Sequence, residues 1–322
     1  MEVGSKDILN QKEKVKEILE KYRNAGDISI QAKKLAQKIC KPGASVYTIS
    51  EQIEDYIRKK GAKPAFPINM SINTEAAHYS AEILDQRIIP ENSIIKIDLG
   101  AEIDGYLVDT AITINFNPEL NDLSTISETA LENAIKSVKS GVKVYTIGKI
   151  IEKTITDAGY QPIRNLSGHQ IKRYELHAGI TIPNCGPKYF GDNSEKFQAG
   201  KIYAIEPFAS NGKGWIKNGK TTNIFRIINK PNKKQKDLIP IYNEFKNKVG
   251  VLPFSPRHLH EKNSGLKGKK LITENIRKLK NANIITGYPV LIEQKENSMV
   301  SQHEHTVRVT NEGCEVLTST NL

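Results

Sequence analysis

Two aspartates, Asp98 and Asp109, flank a segment whose composition predicts a β-hairpin. Between them lies LGAEIDGYLV, in which Asp104-Gly105 is a turn signal. With a two-residue turn at Ile103-Asp104, antiparallel pairing puts the two aspartates directly opposite each other, with Cβ atoms about 4.5–5.5 Å apart. Carboxylates so placed in apolar strands repel each other, so a shared proton or a metal ion is expected between them. The alternative is a simple salt bridge from Lys96, on the same face as Asp98.

Further ionisable residues favour the metal. Glu206 follows the apolar run at 202–205 and therefore ends a strand, and Glu304 lies within the strand-like run MVSQHEHTVRV. A core strand seldom contains an unpaired glutamate. Five histidines lie near these elements: His78, His169, His177, His303 and His305. Several carboxylates with one or two imidazoles favour Mn, Fe, Co or Zn, and two such ions bridged by carboxylates form a hydrolase site.

The elements that must position these residues alternate in type along the chain. Apolar spacing predicts helices over most of the first 60 residues and again over about 124–158. A period of two predicts strands over about 93–116 and 288–317, with short strands up to residue 208. The sequence therefore predicts an α+β fold.

The positive charge is confined to one part of the chain. The whole sequence has 47 Lys+Arg and 36 Asp+Glu, a net charge of +11, and the basic excess lies entirely within residues 211–280. This indicates a basic, helical subdomain at 211–284, inserted between the two parts of a catalytic domain, 1–210 and 285–322. One interpretation of the basic segment is a well-hydrated surface, and the more specific hypothesis is that it docks on ribosomal RNA.

Composition excludes several classes of protein. No run approaches 18 consecutive apolar residues, and the first residues show no apolar signal segment, so neither a membrane span nor secretion is expected. Three widely separated cysteines suit a reducing cytoplasm with no disulfide frame.

One competing motif is complete. Residues 214–221, GWIKNGKT, fit the phosphate-binding pattern G-x-x-x-x-G-K-[ST], which needs a strand before it and a helix starting at the lysine. The preceding residues look like a loop, and 221–228 are strand-like. We therefore interpret the match as a glycine-rich surface loop and not as a nucleotide site.

From about residue 25 to the C-terminus, the chain resembles the type II methionine aminopeptidases of the archaeal kind, a branch of the pita-bread metallopeptidases. The motifs that carry the resemblance follow in order: FP at 66–67, NTEAAHY at 73–79, IDLG at 97–100, VDTA at 108–111, NLSGH at 165–169, LHAG at 176–179, YAIEPF at 203–208, YPVL at 288–291 and QHEHT at 302–306. The resemblance implies a pita-bread fold, a pseudo-symmetric antiparallel sheet flanked by helices.

The resemblance also implies the roles of individual residues. The metal ligands would be Asp98, Asp109, His169, Glu206 and Glu304, holding two divalent ions of Co, Mn, Fe or Zn. A bridging water would be the nucleophile, with Glu206 moving a proton and His78 and His177 stabilising the oxyanion and positioning the peptide. Phe66, Leu176 and Tyr288 would wall the methionine pocket. His303 departs from the family, which usually has an aromatic residue there, and is left out of the ligand set.

The implied function is removal of the initiator methionine from nascent proteins and peptides with a small second residue, by a cytoplasmic monomer. Two other functions compete: an X-Pro-type pita-bread peptidase, and a non-catalytic ribosome- or RNA-binding pita-bread adaptor. The long insertion between Glu206 and Glu304 favours the methionine enzyme over the former. The presence of all five ligands argues against the adaptor.

Overall fold

The computed structural model describes residues 5–189, 191 and 194–319, without the side chains of residues 5–12 and 262. Six α-helices lie in these ranges: α1 (Ser5–Ile39), α2 (Val46–Lys59), α3 (Asn121–Ile135), α4 (Val144–Asp157), α5 (Ile239–Val249) and α6 (Gly265–Asn281). None of these helices combines the length and the apolar character that crossing a lipid bilayer requires.

Seventeen strands lie in the same described ranges: β1 (Lys63–Pro64), β2 (Asn69–Ile72), β3 (Glu75–Ala77), β4 (Ile94–Leu99), β5 (Ala101–Ile103), β6 (Tyr106–Leu107), β7 (Thr110–Asn115), β8 (Gln161–Pro162), β9 (Ser167–Ile171), β10 (Thr181–Pro183), β11 (Ile202–Ile205), β12 (Phe208–Ser210), β13 (Ile216–Ile227), β14 (Ile285–Glu293), β15 (Val300–Gln302), β16 (His305–Val309) and β17 (Cys314–Val316). Their pairings are antiparallel. The predicted α+β class is therefore confirmed.

Two helix pairs cover two separate sheets, and each pair has its own core. Apolar residues of α1 and α2 share one buried cluster with the sheet β2-β4-β7, to which Ile53 and Ile97 belong. Those of α3 and α4 share another with the sheet β10-β9-β11-β16-β17, to which Ile147 and Tyr203 belong. The strands that carry or precede the carboxylates thus belong to both of these sheets, and their ends lie close together.

The long first helix depends on a glycine. α1 continues through Gly26, where a Cβ atom would lie 1.9 Å from the carbonyl oxygen of Leu317. Only a residue without a side chain allows this close approach of the helix to the C-terminal segment.

The predicted register of the aspartate hairpin is wrong. Asp104 and Gly105 both have positive φ angles, 53° and 83°, so they are the two central residues of the turn. A turn at Ile103-Asp104 would force a β-branched residue into that conformation. The resulting register pairs Asp98 with Ala111, and not with Asp109. Asp109 itself lies in the break between β6 and β7.

The basic segment contains a strand as well as helices. β13 pairs with β14, and α5 and α6 pack around Phe245, Phe254 and Leu279 in a core of their own. The division of the chain at 211–284 stays a prediction. The interpretation of residues 214–221 as a surface loop was partly wrong, because β13 begins at Ile216, inside the motif. The strand expected at 221–228 is present as the end of β13, so no helix starts at Lys220 and the motif lacks the helix it needs.

Candidate metal centre

The five predicted ligands come from five different points of the two sheets. Asp98 lies on β4 and His169 on β9, whereas Glu206 directly follows β11. Asp109 and Glu304 occupy short breaks between strands. Because β9, β11 and β16 are neighbours in one sheet and β4 and β7 are neighbours in the other, the ends of these strands bring the side chains together.

The geometry of the cluster is that of a ligand set. His169 Nε2 lies 3.6 Å from Asp109 Oδ2 and 3.6 Å from Glu206 Oε1. One potential ligand atom from each of Asp109, His169 and Glu304 lies within 4.8 Å of the others. Asp98, Asp109, His169 and Glu206 line a cavity of about 220 Å³, which we call the metal-ligand cavity. Glu304 is 1% exposed and belongs with Asp109 and His169 to the group of close ligand atoms, which we call the ligand group.

The electrostatics of the cluster call for a cation. Burial, and next the charge of Asp109, raise the pKa of Asp98 well above its ordinary value. Burial raises the pKa of Asp109 to about 7, and burial with the neighbouring carboxylates raises those of Glu206 and Glu304. Four carboxylates that are so reluctant to ionise together are stabilised by a divalent cation.

Orphaned buried atoms test whether these residues fit a metal. Asp98 Oδ1, Asp109 Oδ1 and Glu304 Oε1 are buried without a hydrogen-bond partner in the structure. Buried polar atoms are nearly always paired, and hard oxygen donors with one imidazole suit a divalent transition ion. The burial of His169 lowers its pKa to about 4, which keeps the imidazole neutral, as ligation requires. The residues therefore fit the group.

Several supporting residues were missed as parts of the site. The Asn69 amide donates to Asp98 Oδ2 over 3.4 Å, and the Gln302 amide donates to Glu304 Oε2 over 3.3 Å. The Thr306 hydroxyl accepts from the backbone N–H of Asp109 and donates to its carbonyl oxygen, both over 2.7 Å. The available signal was spacing, because Gln302 and Thr306 lie two positions before and after Glu304 in a strand-like run.

The five residues predicted to contact the substrate lie around the same cavity: Phe66, His78, Leu176, His177 and Tyr288. The His177 ring lies 4.3 Å from that of His169, and the His78 ring lies 5.6 Å from that of Tyr288. Burial lowers the pKa of His78 to about 4 and that of His177 to about 2, so both are neutral. Ile224 and Pro253 also line the cavity, and no pattern in the sequence singled them out.

Other candidate residues lie elsewhere. His303 is hydrogen-bonded through Nδ1 to the Ser127 hydroxyl at 2.8 Å, on the side of α3, and is not in the ligand group. The Lys96 ammonium donates a hydrogen bond to the carbonyl oxygen of Asn73 and not to Asp98, as the salt-bridge alternative required. A larger cavity of about 900 Å³ lies between α2 and residues 247–260, away from the ligand group.

Comparison with known proteins identifies the family. The model of metallopeptidase family M24 matches residues 20–311. Among characterised relatives, the methionine aminopeptidase of Saccharolobus solfataricus is 43% identical over 308 residues, which are 94% of this chain and 97% of that protein. That of Methanocaldococcus jannaschii is 37% identical over 299 residues, 93% of this chain and 98% of that protein.

Solved structures agree on the fold. A thermophilic Arx1 superposes with a TM-score of 0.78 at 20% identity, covering 94% of this chain and 90% of that one. A methionine aminopeptidase from Thermotoga maritima superposes with a TM-score of 0.65 at 22% identity, covering 93% and 96%. The pita-bread fold implied by the resemblance is confirmed. The chain belongs to metallopeptidase family M24, together with the archaeal methionine aminopeptidases to which it is similar.

Proposed function

We propose that this protein removes the N-terminal methionine from polypeptides whose second residue is small. The observation that carries the proposal is the convergence of Asp98, Asp109, His169, Glu206 and Glu304 beside one small cavity, in a chain with close relatives of that activity. These five residues would hold two divalent cations, of Co, Mn, Fe or Zn. When bound, the ions supply Lewis-acid chemistry that makes a water nucleophilic at neutral pH and polarises the scissile carbonyl.

The remaining steps belong to the residues of the chain. Glu206 borders the cavity beside His169 and would pass the proton that the water loses to the leaving nitrogen. His78 Nδ1 donates to the carbonyl oxygen of Pro289 over 3.3 Å. In a neutral ring this leaves Nε2 as an acceptor, so His78 would hold an N–H of the peptide. His177, the other neutral imidazole at the cavity, would donate to the developing oxyanion.

The methionine side chain would lie against Phe66, Leu176 and Tyr288. A cavity of about 220 Å³ takes one side chain and not a folded loop. The carboxylates beside it attract the free α-ammonium of a polypeptide, which favours an exopeptidase over an endopeptidase. We further propose that the protein acts as a cytoplasmic monomer, which is supported for the compartment by its three free cysteines.

Peptide assays test this function. With Mn²⁺ or Co²⁺, we expect release of methionine from Met-Ala-Ser. We expect little release of methionine from Met-Lys peptides and little release of alanine from Ala-Pro peptides. Release of proline-adjacent residues without release of methionine would contradict the proposal and favour the X-Pro alternative.

We also propose that the basic segment 211–284 docks the enzyme on ribosomal RNA, where nascent chains emerge. Support comes from charge and exposure: this range carries the whole basic excess of the chain, and its lysines point largely into solvent. Phosphate contacts of this kind weaken steeply with salt.

Charge reversal tests the docking. Six lysines of the segment would be changed to glutamate: Lys233, Lys234, Lys236, Lys267, Lys269 and Lys270. Co-sedimentation with ribosomes should fall, most steeply with added salt, whereas peptide cleavage should persist. The control reverses six exposed lysines elsewhere: Lys38, Lys41, Lys59, Lys136, Lys139 and Lys149. An equal loss of co-sedimentation in both variants, or no loss in either, would contradict the docking proposal and leave the basic segment as a hydrated surface.

A further inference from the structure

A second cavity of about 230 Å³ lies on the other side of the ligand-bearing strands, between α1, α3 and the strands β7 and β16. It shares no lining residue with the metal-ligand cavity, and His303 and His305, the two neighbours of Glu304, line it. We call it the rear cavity. The proposed function uses none of its residues.

One end of the rear cavity carries a buried positive charge. Lys33 is only 8% exposed, and its ammonium donates to the Thr110 hydroxyl over 2.7 Å and to the carbonyl oxygen of Thr318 over 3.2 Å. Among the residues that the structure describes, no carboxylate lies within 4.0 Å of this nitrogen. An ammonium has three hydrogens to donate, so one remains for a ligand. Burial lowers the pKa of Lys33 only to about 8, which leaves it charged at neutral pH.

A second donor faces the same end. The hydroxyl of Thr318 accepts from the backbone N–H of Thr306 over 3.0 Å and lies 2.9 Å from His305 Nδ1. In the tautomer in which the Thr318 hydroxyl donates to His305 Nδ1, the hydrogen of the neutral imidazole is on Nε2. Lys33 and His305 would then offer two hydrogen-bond donors, as a carboxylate ligand needs.

His303 brings a second imidazole to the rear cavity. The Ser127 hydroxyl lies 3.3 Å from the carbonyl oxygen of Ser124 and 2.8 Å from His303 Nδ1. In the tautomer in which the hydroxyl donates to Ser124, His303 Nδ1 donates to the hydroxyl and Nε2 is a lone-pair acceptor.

Negative charge lies on the α3 side of the rear cavity. Glu128 and Glu132 both line it, and in the described part of the chain neither has an ion-pair partner within 4.0 Å. Between the basic and acidic sides the walls are apolar, formed by Ile30, Ile112 and Leu131. The cavity thus combines donors, acceptors of N–H groups and an apolar wall within a small volume.

We propose that the rear cavity binds a free α-amino acid as its zwitterion. The carboxylate would bind Lys33 and His305 Nε2, the ammonium would bind Glu128 and His303 Nε2, and an apolar side chain would lie against Ile112. A volume of about 230 Å³ is below the roughly 300–1,000 Å³ of sites for drug-sized ligands, so a small metabolite fits. The glutamates disfavour a simple anion, and Lys33 disfavours a simple cation.

Equilibrium dialysis of metal-loaded protein with labelled methionine tests this inference. We expect a bound methionine that is lost, or weakened at least about ten-fold, in Glu128→Gln and in Lys33→Met. Asp122→Asn on α3 and Lys38→Met on α1 are matched controls, since both residues are exposed and neither lines the cavity. Glu128→Gln is the safer variant because Glu128 is exposed and its side chain makes no hydrogen bond to another described residue.

Three chemical probes sharpen the test. Methioninol lacks the carboxylate, N-acetylmethionine lacks the ammonium, and acetate lacks both the ammonium and the side chain. Each should compete at least about ten-fold more weakly than methionine at the site that Glu128→Gln removes. Equal competition by acetate would show a general anion site, and unchanged methionine binding in both cavity variants would equally overturn the inference.

The outcome is separable from that of the proposed function. Methionine could also bind the metal-ligand cavity as a product, so wild-type protein would hold two molecules and the rear-cavity variants one. If the peptidase assignment failed, the rear cavity would still bind one molecule, and Glu128→Gln would bind none. If this inference failed, the variants would bind as many as the wild type.

Discussion

Replacing Asp109 by asparagine should stabilise the metal-free protein, although it removes a residue at the centre of the site. Asp109 is 5% exposed and lies among three further carboxylates. Because burial raises its pKa to about 7, against about 3.9 for an unfolded chain, the folded state binds the proton more tightly. Stability is then present at low pH and is lost as the pH rises from about 4 to about 7.

The size of the effect follows from these two pKa values. The ionisation of Asp109 costs the metal-free folded state about 2 kcal/mol at pH 5 and about 4 kcal/mol at pH 7.5. The neighbouring carboxylates share the proton, which reduces the difference between the two pH values. Asp109→Asn removes the cost, so its free energy of unfolding relative to wild type should improve by about 1–2 kcal/mol between pH 5 and pH 7.5.

Urea denaturation in EDTA at the two pH values measures this difference. Asp27→Asn, which removes an exposed carboxylate on α1, is the control and should show no such trend. With Mn²⁺ at about one hundred times its dissociation constant, the wild type should gain about 2.7 kcal/mol, and Asp109→Asn should gain much less. An Asp109→Asn effect that is the same at pH 5 and pH 7.5 in EDTA would refute the reasoning.

Three other perturbations have expected outcomes. Arg257→Met should cost at least about 2 kcal/mol of unfolding free energy in urea, because the fully buried Glu54 loses its two hydrogen bonds from this guanidinium and keeps Arg58 and His258 as charged partners; a loss below about 1 kcal/mol would contradict this. Gly26→Ala should cost at least about 1 kcal/mol by thermal denaturation, since its Cβ would overlap the carbonyl oxygen of Leu317, whereas Gly313→Ala, with open space around the Cβ, should be near neutral. Glu304→Gln should abolish peptide cleavage with unchanged circular dichroism, and activity near that of the wild type would remove Glu304 from the ligand set.

The sequence predicted which residues form the site better than it predicted how they are arranged. Asp98 and Asp109 stood out because charges within apolar strands are costly, and the structure brings both to one cavity. Their register was missed by one step of the turn, because the conformational demand of Asp104 and Gly105 on φ was not weighed against that of Ile103. A turn is a local property, but which carboxylates meet depends on it.

Residues that act from a distance left weaker signals. Pro253 lines the metal-ligand cavity from the basic segment, and Lys33 reaches the rear cavity from α1. Neither belongs to a motif, and each depends on packing between parts of the chain that are remote in sequence. The helices and strands themselves were predictable because their apolar periodicity is local. The reason for Gly26 within α1 could not be read from the sequence, because it lies in the close approach of the helix to Leu317.

The contact between β7 and the Glu304 segment has a consequence for biosynthesis. The Thr110 hydroxyl donates to the carbonyl oxygen of Glu304, a residue 194 positions later in the sequence. A nascent chain therefore carries Asp98 and Asp109 for most of its translation before their partner exists. Until then Asp98 and Asp109 lie close together without the complete set of metal ligands. Contacts between residues so far apart in sequence form slowly. Metal capture should accordingly be a late event of maturation, so a newly made molecule would acquire activity only after its last strands have docked.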